Sequence, residues 1–339
     1  MLEFVIYFAS FLLTVVGLAV FIRFSGRLAS IDIPNERSSH DRPTLRGGGI
    51  VIVAVCCVLY AAGSLVFSHP INWGYLAGAV LIASVSWADD HFDLPAGIRF
   101  AAHTVAAIVL IFYSGPLTGI DITGTGQVVS FTWFAPLVSV LWIIWMTNAF
   151  NFMDGIDGIA GAQGVVSGIG WILFGTMIGA TPIHLFSGVV LFSCLGFLIF
   201  NWSPARIFMG DVGSAFLGFT LSAMPLIGRD RMAGMDPLFF LGAIGFLWLF
   251  VYDTLFTFFR RLINREKVWK AHRSHLYQNL TDKWGSHARV SLLYFGLGLA
   301  VAITIVAAAG SASAGSWWVV AALSGSALII TVFGFRKSN

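Results

Sequence analysis

Long apolar runs, separated by short polar segments, follow one another along the whole chain. Most runs approach the roughly 20 apolar residues with which a helix crosses the hydrocarbon core of a bilayer. We therefore predict an all-α integral membrane protein with about eleven transmembrane helices. The predicted spans are residues 2–22, 47–67, 71–88, 99–115, 133–147, 159–179, 184–201, 213–228, 237–259, 288–309 and 316–335.

The composition supports a membrane protein. It is 58% hydrophobic and 10% charged, with a mean hydropathy of +0.86, which does not fit a soluble core of this size. The first apolar run lacks the basic start and the small-residue cleavage site of a signal peptide, so we expect it to be retained as a span. Cys56, Cys57 and Cys194 lie inside apolar runs and are expected to be small core residues.

Lysine and arginine are distributed unevenly between the two predicted sides. Of the 19 basic residues, all but Arg229 and Arg231 fall on one side, and short cytoplasmic loops are the basic ones. We therefore place the N-terminus outside and the C-terminus in the cytoplasm. We expect one polytopic domain over residues 1–339, with its site on the cytoplasmic segments, whereas the outside segments 116–132 and 229–236 resemble turns. The cytoplasmic segments are 24–46, 89–98, 148–158, 202–212 and 260–287.

A polar segment from Asn148 to Gly158 lies between two of the apolar runs. Asn148, Asn151, Asp154 and Asp157 are spaced three apart, so on a helix they would form one polar ridge. A carboxylate near a membrane core costs on the order of 2.5–3.5 kcal/mol, so we expect this segment to be functional; an ordinary hydrophilic loop is the alternative. Glycines at the same interval would give the helix a smooth side for another helix or a ligand. They are Gly155, Gly158, Gly161 and Gly164.

Acidic residues mark two other predicted helix ends. Asp89 and Asp90 follow the span 71–88, and adjacent carboxylates repel unless a divalent cation or a basic group is near. They could hold Mg²⁺, or one could accept a proton from a nucleophile; a solvated helix end is the alternative. Asp211, between Gly210 and Gly213, suits a hard cation with a phosphate close by. N-capping by Asp211 alone is the alternative, and it leaves the two glycines unexplained.

Glycines and basic residues form a candidate anion site before the span 47–67. Gly47, Gly48 and Gly49 would expose backbone N–H groups beside Arg42 and Arg46. Both features are also common in membrane proteins that have no such site.

The largest basic loop contains His272, Arg273 and His275. The two histidines could bind phosphate beside Arg273 or form a metal pair, which is less favoured because no third ligand is close. The other basic residues of this loop are expected mainly to anchor the protein at lipid headgroups. Asp253, inside the span 237–259, is either functional or paired with an arginine further along the helix.

Acids, glycine-rich segments and a basic histidine loop thus converge on the predicted cytoplasmic face. This combination favours phosphoryl transfer, in which positioning and charge neutralisation supply most of the catalysis. The apolar bulk beside it favours a lipid as one substrate. A membrane lipid or ion transporter is the alternative, but it would need polar residues deep in several spans, and the sequence has no convincing internal repeat.

Five ordered motifs resemble those of the polyprenyl-phosphate N-acetylhexosamine-1-phosphate transferases. The resemblance runs from residue 30 to residue 285. It implies transfer of a sugar 1-phosphate from a UDP-N-acetylhexosamine to undecaprenyl phosphate, with release of UMP, and with Mg²⁺, for which Mn²⁺ could substitute. The motifs are Pro43-Thr44 with Gly47-Gly48-Gly49, Asp89-Asp90-x-x-Asp93, Asn148-x-x-Asn151-x-x-Asp154-Gly155-x-Asp157-Gly158, Gly210-Asp211-x-Gly213-Ser214 and the loop His272–His275.

The resemblance also implies roles for single residues. Asp211 is expected to bind Mg²⁺ with Asn151 or Asp154 assisting. Asp89 and Asp90 are expected beside the lipid phosphate, where one of them would activate it. We prefer direct attack of that phosphate over a covalent aspartyl intermediate, because a phosphate monoester is largely ionised near neutral pH. The residues expected to bind the nucleotide sugar or its phosphates are Asn148, Asp157, Asn201, His272, Arg273, His275, Arg42 and Arg46.

One departure from the family pattern bears on the sugar. Arg273 and Ser274 interrupt a loop that is often richer in histidine, which resembles the WbpL-type branch that initiates O-antigen synthesis and sometimes uses N-acetylfucosamine. The donor therefore stays open between UDP-GlcNAc, UDP-FucNAc and related sugars. The resemblance implies a multi-pass protein of the bacterial cytoplasmic (inner) membrane, with its active site on the cytoplasmic face. It implies contact with membrane lipids and no nucleic acid, and a homodimer is left open.

Overall fold

The protein is a bundle of α-helices, as its apolar runs predict. The computed structural model describes residues 2–24, 30–34, 42–121, 127–228, 236–267, 272–310 and 315–335. Features outside these ranges include the segment Ser38–Asp41 and the predicted outside loop with Arg229 and Arg231. The helices in the described ranges are α1 (Leu2–Phe24), α2 (Gly49–Val66), α3 (Trp73–Phe92), α4 (Ala96–Ser114), α5 (Ala135–Met153), α6 (Ile159–Ile178), α7 (Thr181–Asn201), α8 (Gly210–Gly228), α9 (Asp236–Phe246), α10 (Trp248–Ile263), α11 (Leu276–Trp284), α12 (His287–Ala309) and α13 (Gly315–Gly334).

Most of these helices have the length and apolarity of membrane spans. In the described ranges nine helices meet both requirements, and α9 with α10 makes a tenth if the pair is one span. α3 has 20 residues but is not among them, because its last turn carries Asp89, Asp90 and His91. The all-α, multi-pass class is therefore confirmed. The count of eleven spans and the sides assigned to the termini stay predictions.

The span predicted for residues 237–259 is not one continuous helix. α9 ends at Phe246 and α10 begins at Trp248, and the two helices are bent by 75° relative to each other. Gly245, just before the break, lies so close to α12 that a Cβ atom there would be 1.8 Å from Ile305. The sequence between 238 and 263 has no proline, the usual signal of a kink, so hydropathy could not reveal the bend.

α8 is the central helix of the bundle. It packs against α2, α3, α5 and α9, and all of its residues except Asp211 are buried. In contrast, α1, α4 and α13 bury only 28% of their spanning windows. Their outer faces carry exposed apolar side chains such as Phe4, Phe112 and Val332, as expected for helices that face lipid. The partly exposed Asp211 therefore lies at one end of the buried central helix.

The glycine spacing predicted close helix approach, and the structure shows it between α6 and α7. A Cβ atom added to Gly161 would lie 2.9 Å from Leu198, and one added to Gly164 would lie 2.5 Å from Cys194. This part of the prediction is confirmed. Gly155 and Gly158 do not belong to the smooth side, because α6 begins only at Ile159.

Short strands connect some of the helices. β1 (Ser30–Asp32) pairs antiparallel with β2 (Thr44–Arg46), and β2 pairs parallel with β5 (Ile207–Phe208), just before α8. β3 (Gly119–Asp121) and β4 (Val128–Ser130) form a hairpin where the sequence predicted only a turn, followed by a 3₁₀ helix over Thr132–Phe134. The first sheet matters for function, because it ties the first polar loop to the start of the central helix.

Candidate active site

Three carboxylates and two guanidinium groups meet at the N-terminal end of α8. Asp211 lies in the first turn of α8, and Asp89 and Asp90 lie in the last turn of α3. Arg46 contacts Asp211 and lies 2.8 Å from Asp90 Oδ1, while Arg99 lies 2.6 Å from Asp89 Oδ2. These five residues, with Asp93 and Leu94 just after α3, line a cleft of about 210 Å³. We call it the acidic cleft; it unites four residues that the sequence predicted separately.

Arg46 reaches the acidic cleft because of the small sheet. It is the last residue of β2 and pairs with Ser30 on one side and with Phe208 on the other. Burial alone would lower the pKa of its guanidinium, but the carboxylates of Asp211 and Asp90 raise that pKa above its ordinary value. Arg46 therefore stays cationic between the two acids.

Asp90, which lies on the neighbouring helix α3, also caps the N-terminus of α8. Its carboxylate accepts the backbone N–H groups of Asp211 at 3.2 Å and of Val212 at 3.3 Å. Such N–H groups have no partner within their own helix, and the positive end of the helix dipole favours an anion. Gly210 has a φ of +75°, and a Cβ atom there would lie 2.9 Å from the Asp90 carboxylate. Glycine is therefore required beside Asp90.

The expectation that Gly47, Gly48 and Gly49 expose free N–H groups to an anion is wrong. The N–H groups of Gly47 and Gly48 donate to the Phe208 carbonyl, and that of Gly49 donates to the Met209 carbonyl. These hydrogen bonds continue the pairing of β2 with β5. The glycines serve close packing instead, since the Cβ position of Gly49 falls 2.2 Å from Gly213 Cα.

Arg99 is a site residue that sequence reasoning did not single out. It lies in the first turn of α4, 3.9 Å from Asp211 as well as beside Asp89. Asp89 also accepts the backbone N–H of Leu94 at 2.8 Å, which fixes the turn between α3 and α4. The available signal was sequence distance, because Arg99 follows Asp89 by only ten residues, across the short connection between α3 and α4.

The continuous polar ridge predicted over Asn148–Asp157 is wrong. α5 carries Asn148 and Asn151 but ends at Met153, with Asp154 as its C-terminal cap residue. Asp154 and Asp157 instead lie in the short connection to α6. A spacing of three fits a helix, but the glycines at 155 and 158 permit the tight turn that the chain takes; Gly158 has a φ of +80°.

Asp154 is close enough to the acidic cleft for the charged side chains of the cleft to affect its pKa. Burial raises the pKa of its carboxyl well above the ordinary value; Arg46 opposes this shift, whereas Asp211 and Asp157 add to it. A carboxyl in this environment ionises readily only when further positive charge is near. On α5, Asn148 lies one turn before Asn151 and its amide is 3.3 Å from His103 Nδ1, a second residue that sequence reasoning missed.

A second cavity, of about 400 Å³, contains Asp157 and Arg42 in its lining. Asp157 accepts the backbone N–H of Ala205 at 3.1 Å and lies 3.2 Å from His287 Nδ1. Burial would raise the pKa of Asp157, but the hydrogen bond and charge of His287 outweigh it and hold that pKa below the ordinary value. We call this the Asp157 cavity; it brings two predicted phosphate- or nucleotide-binding residues together.

Asn201 is buried at the end of α7. Its side-chain oxygen accepts the N–H of Gly158 at 2.9 Å, and its amide donates to the Ile207 carbonyl at 2.9 Å. Both ends of this side chain are therefore engaged in holding the α5–α6 connection against β5. Its predicted contact with a nucleotide stays a prediction.

The histidine loop, residues 272–275, precedes α11. His275 is buried with its Nδ1 at 3.1 Å from Asp253, and His272 stacks on it with ring centroids 4.9 Å apart. Arg273 donates to Asp282 at 2.7 Å. The roles of these residues in diphosphate binding stay predictions. The pairing of Asp253 with an arginine is wrong, because among the described residues its partners are His275, other polar side chains and backbone N–H groups.

The described residues contain no group of three histidine, cysteine, aspartate or glutamate side chains close enough to hold a metal ion by themselves. Asp211 and the other carboxylates of the acidic cleft are nevertheless hard oxygen donors of the kind that Mg²⁺ prefers. In proteins Mg²⁺ is commonly bound through one or two carboxylates, with substrate phosphates and water completing its shell. The donor set therefore fits that kind of site.

Comparison with known proteins places this chain in a family. The profile of glycosyl transferase family 4 matches residues 72–229. The chain is 30% identical over 294 residues to the undecaprenyl-phosphate alpha-N-acetylglucosaminyl 1-phosphate transferase of Thermotoga maritima, covering 82% of this chain and 84% of that protein. It therefore belongs to glycosyl transferase family 4, and the predicted relation to the polyprenyl-phosphate N-acetylhexosamine-1-phosphate transferases is confirmed.

Other relatives show the range of that family. A probable undecaprenyl-phosphate N-acetylglucosaminyl 1-phosphate transferase of Bacillus subtilis is 29% identical over 313 residues, covering 90% of this chain and 85% of the relative. A phospho-N-acetylmuramoyl-pentapeptide-transferase of Levilactobacillus brevis is 24% identical over 305 residues, covering 83% and 89%. The similarity to both kinds of relative extends over most of the chain. The closeness to the WbpL-type branch stays a prediction.

Proposed function

We propose that this protein transfers an N-acetylhexosamine 1-phosphate from a UDP-sugar to undecaprenyl phosphate and releases UMP. The observation that carries the proposal is the acidic cleft, where Arg46 and Arg99 lie among Asp89, Asp90 and Asp211. Positive and negative side chains lie together at one end of a buried central helix, and this arrangement suits two phosphate groups that must approach each other. The names of the relatives from Bacillus subtilis and Thermotoga maritima support the same reaction.

The two cavities suggest where each substrate lies. Arg99 is 38% exposed, on a helix whose neighbouring Ile98 and Phe100 are exposed and apolar, so a lipid phosphate arriving along α4 meets its guanidinium first. The Asp157 cavity has the polar lining and the volume for a nucleoside. In this arrangement the diphosphate lies between the Asp157 cavity and the acidic cleft.

The reaction is one phosphoryl transfer. An oxygen of the lipid phosphate attacks the β-phosphorus of the UDP-sugar, and the bond from that phosphorus to the bridging oxygen breaks. UMP leaves with the electron pair of the broken bond, so atoms and charges balance without a covalent enzyme intermediate. Because a phosphate monoester has a second pKa of about 6, its nucleophilic oxygen is already largely ionised. Asp89 and Asp90 therefore act mainly by positioning Arg99, Arg46 and the start of α8.

Mg²⁺ is the proposed cofactor, and Mn²⁺, which accepts the same oxygen donors, is expected to substitute. Asp211 and Asp154 would hold it, with the amide of Asn151 assisting. When bound, it supplies neutralisation of the negative charge on the diphosphate. Counting Asp93, the acidic cleft has four acidic and two basic side chains in its lining, so its formal charge favours a cation.

The side of the membrane and the sugar are also proposals. The uneven distribution of basic residues supports a bacterial cytoplasmic (inner) membrane protein with its site facing the cytoplasm. The relatives' names make UDP-GlcNAc the first donor to test, and the histidine loop makes UDP-FucNAc the second. Initiation of O-antigen or another cell-surface polysaccharide is the cellular role that fits such a product.

The test is UMP release by the purified protein in detergent. Undecaprenyl phosphate and Mg²⁺ are supplied with UDP-GlcNAc, UDP-GalNAc, UDP-FucNAc or UDP-QuiNAc, each with and without EDTA. Release that depends on the lipid and is blocked by EDTA would support the reaction and identify the donor. Folded protein that releases no UMP with any donor would reject the proposal. A transporter, in contrast, would show its activity only in sealed vesicles.

A further inference from the structure

Asp253 is a fully buried carboxylate that the proposed chemistry does not use. It lies in α10, six residues after the bend at Leu247, and its side chain has 0% exposure. Oδ1 accepts from the Leu276 N–H at 2.9 Å and lies 3.1 Å from His275 Nδ1. Oδ2 accepts from the Tyr277 N–H at 3.0 Å and from the Tyr294 hydroxyl at 2.7 Å. A charge buried this deeply requires such donors.

These donors belong mainly to one structural element. Leu276 and Tyr277 are the first two residues of α11, and their N–H groups have no partner inside that helix. Asp253 therefore caps α11 from another helix, at the end where the helix dipole favours negative charge. It also holds the imidazole of His275, the residue before α11. One carboxylate thus fixes the end of the histidine loop and the start of α11.

Tyr277 extends this constraint to the segment that carries Asp154. Its hydroxyl donates to the Phe152 carbonyl at 2.9 Å, in the last turn of α5, where carbonyls lack helical partners. The same hydroxyl is so close to Gly155 that a Cβ atom there would lie 2.2 Å from it. Asp154 lies between these two contacts.

We infer that Asp253 is a positioning residue that holds Tyr277 against residues 152–155 and thereby places Asp154 beside the acidic cleft. This inference rests on the proposed function for its effect on catalysis, whereas the effect on loop structure is independent of it. Asp253 does not touch the cleft. It acts through α11, where Tyr277 couples the histidine loop to the α5–α6 connection.

The two nearby arginines of α10 contact groups other than Asp253. Arg260 donates to the Ser274 carbonyl, and Arg261 lies 2.9 Å from Glu266. Both are directed to the polar segments that follow α10. Apart from Thr257 of its own helix, at 3.3 Å, the partners of Asp253 among the described residues are His275, the start of α11 and Tyr294 of α12, so the position of α11 is sensitive to this single carboxylate.

The experiment compares two tyrosine-to-phenylalanine variants of the full chain in detergent. Tyr277→Phe removes only the hydroxyl that contacts Phe152. Tyr294→Phe removes an equally buried hydroxyl that donates to the same Asp253 carboxylate, but it lies on α12. Hydrogen–deuterium exchange of the peptide over residues 152–158 reports the order of the loop without any substrate. UMP release gives kcat and the KM for the UDP-sugar.

Tyr277→Phe is expected to speed exchange in residues 152–158 by about tenfold, the factor typical of one lost hydrogen bond. Its kcat is expected to fall by about tenfold with less change in KM, since Asp154 is misplaced for the chemical step. Tyr294→Phe is expected to leave both quantities within about threefold of wild type, because its effect stays at α12. Asp253→Asn, if it folds, is expected to reproduce the loop exchange of Tyr277→Phe.

Two results would overturn the inference. One is wild-type exchange in residues 152–158 of Tyr277→Phe; the other is an equal increase in Tyr294→Phe, which would indicate general loosening. If wild-type protein releases no UMP, the proposed function fails, and the exchange measurements still decide whether Asp253 and Tyr277 hold the loop.

Discussion

Asp90→Asn is the most informative single change in the acidic cleft. The amide has nearly the same shape as the carboxylate, so it removes charge without leaving a cavity. Asp90 is 3% exposed and serves two partners at once, the guanidinium of Arg46 and the first N–H groups of α8. The change therefore weakens the contact that orders Arg46 and Asp211 with respect to each other.

The size of the effect follows from these contacts. An asparagine oxygen can keep one N–H bond, so one charge-assisted hydrogen bond is lost, worth about 1.5–3 kcal/mol. Arg46 is 30% exposed and keeps Asp211 as a partner, so the lost ion pair is discounted to about 1 kcal/mol. Expressed fully in the transition state, a total of about 3 kcal/mol lowers kcat by about 100-fold. If part of this free energy is instead lost from folding stability, kcat falls by only about tenfold.

The assay is UMP release at saturating UDP-sugar and lipid, with thermal unfolding measured in the same detergent. Asp121→Asn is the matched control, because it makes the same change in a buried carboxylate of the β3–β4 hairpin, at the opposite end of α4. A kcat for Asp90→Asn within about threefold of wild type, in folded protein, would refute the reasoning. So would an equal loss of kcat in Asp121→Asn.

Four further outcomes are expected. Asp211→Ala should abolish UMP release while thermal unfolding still shows folded protein, and near-normal turnover would exclude its metal role. EDTA should abolish UMP release by wild-type protein and added Mg²⁺ should restore it; full activity after thorough chelation would remove Mg²⁺ from the proposal. Arg273→Gln should raise the KM for the UDP-sugar more than it lowers kcat, and an unchanged KM would reject its contact with the diphosphate. Asp157→Asn should lower the melting temperature most at neutral pH. The folded pKa of Asp157 lies below its ordinary value of 3.8, so the stabilisation by its carboxylate is lost as pH falls through the folded pKa. A difference in melting temperature between variant and wild type that does not close in acid would contradict this.

Hydropathy was sufficient to locate the long apolar helices, because the thickness of a bilayer fixes how long an apolar run must be, but it did not reveal the polar helix α11. It also identified the acids of the site, since Asp89, Asp90 and Asp211 stand out at the ends of apolar runs. The bend at Leu247 could not be read in the same way. It coincides with a close approach of Gly245 to Ile305 of α12, two residues far apart in sequence.

The partners of the site residues were also beyond sequence reasoning. Arg46 meets Asp211 only because β2 pairs with β5, and strands of two or three residues leave no periodic signal. The sequence favours anion binding by the glycines at the start of α2, although their N–H groups continue that same strand pairing. Asp253 was conspicuous inside an apolar run, but its donors on α11 and α12 could be found only from the folded chain.

The parallel pairing of β2 with β5 has a consequence for biosynthesis. Leu45 pairs with Ile207, so the strand that holds Arg46 is made long before its partner leaves the ribosome. Until then, Asp89 and Asp90 can lie at a membrane surface without the N–H groups of α8 to bind Asp90, and β2 keeps one open edge. A contact of such sequence separation forms late and slowly. We therefore expect nascent chains that stop before α8 to be unable to assemble the acidic cleft.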